Sequence, residues 1–210
     1  MTSKPKAPRK KRYVERPDAR VQLLDAAEAL IRKEGYAAAT ARRIAGEVGL
    51  KHQVVFYYFG TQEELLLALY QRVSAEQRER IKEALNGESP LKAIWNIIRD
   101  PEATRLSLEF MALANHSEVI RAEIAKNAEE LRELESEAIA RLLEARGITE
   151  PRLSPRLVSM LTNAIARLLV QESTLGISLG HEEAEAMVDA SLAIFESGRQ
   201  SELDSMSPPG

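Results

Sequence analysis

Across residues 18–34 the apolar side chains Val21, Leu24, Ala27 and Ile31 recur three and four positions apart, with charged residues between them. That period puts them on one face of a helix, which Gly35 ends. Two shorter stretches of the same kind follow, from about Thr40 to Val48, stopped by Gly49, and from about Lys51 to Tyr58, stopped by Gly60. Thr61 and Glu64 have the spacing of a capping box, so a long helix is expected to about Leu85. Ser89-Pro90, Asp100-Pro101 and Ser154-Pro155 each set a capping side chain before a proline at a first helical position, and predict three more starts. Another long helix is expected from near Ser117, with Ile120, Ile124, Leu131, Leu134, Ala138 and Leu142 at helical spacing until Gly147. Residues 147–155 read as a linker. No useful length alternates with period two, so strands are not expected. The fold predicted is all-α with about nine helices, three in a small N-terminal domain (18–60) and six in a larger one (61–198).

Composition refines this picture at the ends and in the charge. Residues 1–17 are rich in Lys, Arg and Pro with almost no apolar content, and are expected to form a flexible basic arm; residues 199–210 are expected to be a disordered tail. The net charge of −3 hides a division: residues 1–60 hold 13 Lys or Arg against 6 Asp or Glu, and the remainder 16 against 26. A basic head on an acidic body suggests that only the head meets a polyanion. At 44% apolar side chains the chain can build a real core. The absence of cysteine removes disulfides, thiolate metal sites and cysteine nucleophiles, and suits a cytoplasmic address. The basic N-terminus has no apolar segment after it, so a secretory signal is not expected, and no apolar run is long enough for a membrane span.

The stretch TARRIAGEVGLKHQVVFYYFGTQEEL, from Thr40 to Leu65, carries most of the functional information. Two short helices around a glycine turn have the spacing of a helix-turn-helix DNA reader. Ile44, Ala45, Val48, Leu50, Val55 and Phe59 supply its inward face, while Lys51, His52, Gln53 and Val54 crowd the first turn of its second helix. Lys and Gln suit guanine and adenine edges, His52 can donate or accept, and Val54 is placed for a thymine methyl. Thr40, Arg42 and Arg43 open the preceding helix and suit phosphate oxygens. The order of a Gly-aromatic helix ending (Gly35-Tyr36), T-x-R-x-I-A, a glycine turn and an aromatic cluster before a capped helix resembles the TetR family of bacterial transcriptional regulators. The resemblance covers roughly residues 18–70. It implies that Thr40 and Arg42 contact phosphates, that Lys51 to Val54 face the major groove, and that Tyr57 and Tyr58 flank the sugar-phosphate backbone. Three positions depart from the family's habit, which is a small polar residue where Lys51 stands, Tyr where Phe56 stands and Lys where Gln62 stands.

In the larger domain, the helix after Ser154 has no continuous polar face, and the last helix carries Ala184, Met187, Val188, Leu192 and Phe195. Leu157, Leu161, Ala164, Leu168, Met187, Leu192 and Phe195 are therefore candidate dimer-interface residues, burial within one subunit being the other reading. The resemblance implies a homodimer through the last two long helices, so that two heads meet successive major grooves of a double-stranded operator. It also implies a cavity for a small, largely apolar effector. Candidates to line it are Tyr70, Trp95, Phe110, Met111, His116 and Asn163, and the expected response is release of DNA by a shift of population. No cofactor or metal is expected. Two other classes compete: a sequence-tolerant DNA-packaging protein and a helical-bundle enzyme. The three histidines lie in no metal-binding spacing, and no phosphate loop or nucleophile elbow is present, which speaks against catalysis.

Overall fold

The computed structural model describes residues 18–87, 89–148 and 154–197, with side chains to Phe195. The expected arm, the tail and most of the linker lie outside the described residues. The helices are α1 (Ala19–Glu34), α2 (Ala41–Glu47), α3 (Gln53–Phe59), α4 (Gln62–Leu85), α5 (Pro90–Ile98), α6 (Pro101–Ala114), α7 (Glu118–Ala145), α8 (Pro155–Thr174) and α9 (His181–Ser197), with a single 3-10 turn at Tyr36–Ala38. Among the described residues there is no strand.

Helix starts follow their capping chemistry closely. Asp100 accepts the N–H groups of Glu102 and Ala103, Ser117 that of Ile120, and Ser154 that of Leu157. Ser89 stands before its proline without capping, so Pro90 alone pre-sets that start. At Thr61 half of the capping box forms: Oγ1 accepts the Glu64 N–H at 3.0 Å, and the hydroxyl donates to the Glu64 carboxylate at 3.1 Å instead of the carboxylate reaching back to the Thr61 N–H. Gly60 before it has φ +78°, a conformation that favours glycine at the α3–α4 corner, and a Cβ there would displace the end of the Glu64 side chain.

Two cores divide the molecule. The first gathers Leu23, Ala27, Leu30 and Ile31 of α1 with Ile44, Val55 and Phe59, but it also takes Leu65, Leu66 and Leu69 from α4, Leu106 and Phe110 from α6, and Ile120 from α7. Packing therefore runs on past residue 60. The second core joins Ile81 at the far end of α4 to Trp95, Leu131, Ile139, Leu169, Leu192 and Phe195. Val21, expected on the inward face of α1, is exposed instead. It lies two positions, roughly 200° of helix rotation, from the fully buried Leu23 that centres the packed face.

Polar contacts tie α1 and the turn after it to the rest. Arg72 on α4 donates to Asp25 at 2.6 Å and to Glu28 at 2.8 Å on α1, and Arg32 donates to the backbone oxygen of Glu102 at 2.9 Å. Glu109 of α6 accepts the Tyr36 N–H at 2.8 Å, beside Gly35, whose φ of +85° lets the chain turn under it.

Candidate nucleic-acid interface and effector cavity

The turn between α2 and α3 closes as a helix C-cap: Leu50 N–H bonds the Ala45 oxygen at 2.8 Å, and Gly49 takes φ +65°, where a side chain would be strained. Thr40 caps α2 by accepting the Arg43 N–H at 3.3 Å. Gln62, from the start of α4, accepts the Ala41 N–H at 3.0 Å, satisfying a second free donor of the same helix end. The position where the family commonly carries a Lys is thus used here to pin α2 onto α4.

This frame leaves Thr40, Arg42, Arg43, Lys51, His52, Gln53 and Tyr57 exposed at the molecular surface. Arg43 is held by Glu34 through two hydrogen bonds of 2.8 and 2.9 Å. Those bonds to the guanidinium lower the Glu34 carboxyl pKa and raise that of Arg43. Tyr58 is half-buried and its ring meets Tyr57 edge-on at 5.0 Å. Val54 does not join this surface. It is 3% exposed and packs in the first core, because α3 begins at Gln53 and presents Val54, Val55 and Phe59 inward. The exposed apolar side chain is Phe56, at 46%, three positions after Gln53 and edge-on to the His52 ring at 6.3 Å. A count of three from Gln53 along one helix face would have found it.

The six residues expected to line a cavity are not gathered at one site. Phe110 and Tyr70 stack edge-on at 5.1 Å, with Phe110 buried in the first core and Tyr70 half-buried against it. Trp95 is fully buried in the second, its Nε1 without a hydrogen-bond partner among the described residues and Arg99 over its ring at 5.1 Å. Met111 is on the surface, because the inner face of α6 is already filled by Leu106 and Phe110, and His116 is exposed in the turn between α6 and α7. Asn163 lines a cavity that the other five do not share.

That cavity, of about 170 Å³, lies between α4, α5, α7 and α8. Ile81, Ile98, Leu131 and Met160 form its apolar wall, and Gln77, Ser159 and Asn163 are polar members. Its most unusual member is Glu135, a carboxylate 3% exposed on α7. Its Oε2 accepts both from Ser159 Oγ at 2.6 Å and from Asn163 Nδ2 at 2.8 Å. Burial raises the Glu135 carboxyl pKa, against the lowering by those two hydrogen bonds and by the charges of Arg167 and Arg132, both also in the lining. Glu135 escaped the sequence reading because acidic residues crowd α7 and nothing local separates a buried one from its solvated neighbours.

On α8, Leu161, Ala164 and Leu168 are exposed along one stripe, with Leu157 half-buried at its start; Leu161 is 47% and Leu168 52% exposed. Met187 of α9 is exposed too. Leu192 and Phe195, expected beside them, are buried in the second core, because α9 turns that face toward α5, α7 and α8. No helix among the described residues is long and apolar enough to cross a membrane.

Known proteins resemble the chain in both halves. Residues 23–69 match the family described as bacterial regulatory proteins, tetR family, and residues 96–195 match the BetI-type transcriptional repressor C-terminal family. An HTH-type transcriptional repressor AcnR from Corynebacterium efficiens is 27% identical over 128 residues, 53% of this chain and 67% of that protein. Its namesake from Corynebacterium glutamicum is 28% identical over 85 residues, 40% of this chain and 43% of the relative. Among solved structures, a transcriptional regulator from Pseudomonas aeruginosa superposes with a TM-score of 0.67 at 21% identity, covering 89% of this chain and 97% of that one. One from Saccharomonospora viridis, in complex with choline, superposes with a TM-score of 0.71 at 17% identity, covering 83% and 97%. The helix-turn-helix geometry and both halves of the match lead to one assignment: the chain belongs to the TetR family of bacterial transcriptional regulators, which are not enzymes.

Proposed function

We propose that this protein is a repressor that binds a palindromic operator as a homodimer and leaves it when a small molecule occupies the cavity between α4 and α8. The observation that carries the DNA reading is the entry to α3, where Lys51, His52 and Gln53 are exposed in sequence while Val54 and Val55 hold the helix down. In this reading Lys51, His52 and Gln53 face base edges, with Phe56 in the role first given to Val54, against a thymine methyl. Thr40, Arg42 and Tyr57 meet phosphates. Arg43 joins them only by leaving Glu34. Tyr58, half-buried, acts by bracing Tyr57.

Dimerisation is supported by the α8 stripe: Leu157, Leu161, Ala164 and Leu168 follow steps of four and three, the spacing of a helix seam, and end on solvent. Covering them with a second copy removes apolar surface from water and fixes the separation of two heads, about 34–36 Å or that plus whole helical turns. A ligand seated against Gln77 and Ile81 touches α4, the same helix whose Arg72 is bonded to α1. Occupancy is thereby able to favour one head position over another, which is all a change of DNA affinity requires. The neighbour from Saccharomonospora viridis carries choline. This cavity has no aromatic lining residue to cradle a quaternary ammonium, so choline is not carried over.

The test is selection of genomic fragments by the purified full chain, footprinting of the selected site, and release by candidate ligands while Trp95 fluorescence is followed. A short two-fold symmetric footprint is expected. Uniform coating of DNA without a preferred site would replace the repressor by the packaging alternative.

A further inference from the structure

Resting on the cavity as the effector site, we propose that its ligand is a small amino-carboxylate, with its ammonium on Glu135, its carboxylate toward Arg132 and Arg167, and a short aliphatic body along Ile81, Ile98, Leu131 and Met160. The assignment begins with what Glu135 leaves undone. Ser159 and Asn163 both donate to Oε2, so no hydrogen bond among the described residues reaches Oε1. A buried carboxylate that lines a cavity, with no ion pair among the described residues and with Oε1 left without a hydrogen bond among them, is a site for a cationic donor.

The rest of the lining defines the other end of the molecule. Arg132 precedes Glu135 by three residues on α7, and Arg167 follows Asn163 by four on α8, so each stands one helical turn from the centre of the polar cluster. Both are exposed residues at the cavity and act as its rim. Two guanidinium groups beside one carboxylate leave an excess of positive charge, which disfavours a simple amine and suits a ligand that brings its own anion. The apolar wall, made of aliphatic and thioether side chains, suits a short hydrocarbon body and offers no ring to stack on. At about 170 Å³ the space is below that of the roughly 300–1,000 Å³ pockets that hold drug-sized ligands, so the ligand is of metabolite size.

Titration calorimetry on the full chain tests this with linear amino-carboxylates from β-alanine to ε-aminocaproate, and with norleucine. For the member that binds tightest, the matching alkanoate and the matching alkylamine are expected to bind roughly tenfold or more weakly. Its N-trimethylated form, which keeps the charge and loses every N–H, is expected to weaken similarly. In Glu135→Gln the preference over the alkanoate should disappear, and in Arg167→Gln the preference over the alkylamine. The methylated ligand probes the Glu135 contact in the unaltered chain, so the test stands even where a variant folds poorly. Binding by no member of the series overturns the proposal, as does equal binding of the alkanoate or of the trimethylated form. A member that binds with these preferences but leaves affinity for the selected DNA unaltered overturns the regulatory reading and spares the ligand class. Release of that DNA by the alkanoate or alkylamine alone does the reverse.

Discussion

Helices α3 and α8 each bury one face and leave the other uncovered, but they leave different chemistry in water. Beyond its inner residues α3, with the two residues that lead into it, presents Lys51, His52, Gln53 and Tyr57, groups that hydrate well, with Phe56 as the one large apolar exception. The outer face of α8 presents Leu161, Ala164 and Leu168, which hydrate poorly. A polar reading face can wait for DNA at no cost to the fold. An apolar stripe is a standing cost of order 25 cal/mol per Å² until something covers it. In the proposed assembly this difference would separate the two associations: a second copy would serve stability as well as geometry, and the duplex recognition alone.

The largest effect expected is therefore on α8. Leu161→Glu with Leu168→Glu should weaken the dimer by about 3–5 kcal/mol, since covering the stripe would then bury unpaired charge. Light scattering should give a single-copy mass, and operator affinity should fall with it. A double variant that stayed dimeric would place the two-fold contact elsewhere. On α3, Gln53→Ala should cost about 1–3 kcal/mol at one base pair of the operator, whereas Arg42→Ala should weaken all sequences alike and reduce the salt dependence. Competition binding against single-base operator variants reads this directly, and neither change should alter the mass.

Between the two helices, Gly60→Ala forces a Cβ into φ +78° and displaces the Glu64 carboxylate, and should cost about 1–2 kcal/mol in thermal unfolding. Because α3 and the start of α4 share one core, the loss should appear in the whole transition and not as local fraying. The smallest effect concerns Glu135. Burial raises its carboxyl pKa above the unfolded value, so the stability it contributes is fully present below the ordinary glutamate range and is lost as pH rises through the raised value. Glu135→Gln cannot ionise and should melt above wild type on the alkaline side of that window, with the difference vanishing in acid. A constant difference across pH would show that the carboxyl titrates alike in both states.

The cap residues explain why so much of the helix order was legible. Thr40, Thr61, Asp100, Ser117 and Ser154 each take up a free backbone donor within three residues, an interaction wholly local in sequence. The candidate sites were legible in proportion to how local they are. Lys51, His52 and Gln53 are consecutive at the entry to α3 and emerge together, while Val54 and Phe56 exchange places because the inner face of α3 is chosen by the core it packs into. His116 and Met111 had the right chemistry for a lining and face water; Leu192 and Phe195 had the right chemistry for a partner surface and face inward.

By itself the sequence determined an all-helical chain, its helix starts, a basic reading turn and its family, because capping, periodicity and glycine turns act over a few residues. Only the tertiary structure decided that Glu135 on α7 meets Ser159 and Asn163 on α8, that Gln62 pins α2, and which leucines are left in water. Those outcomes depend on the rotation of each helix about its own axis, which is set by the helices packed against it and leaves no trace in the local order of residues.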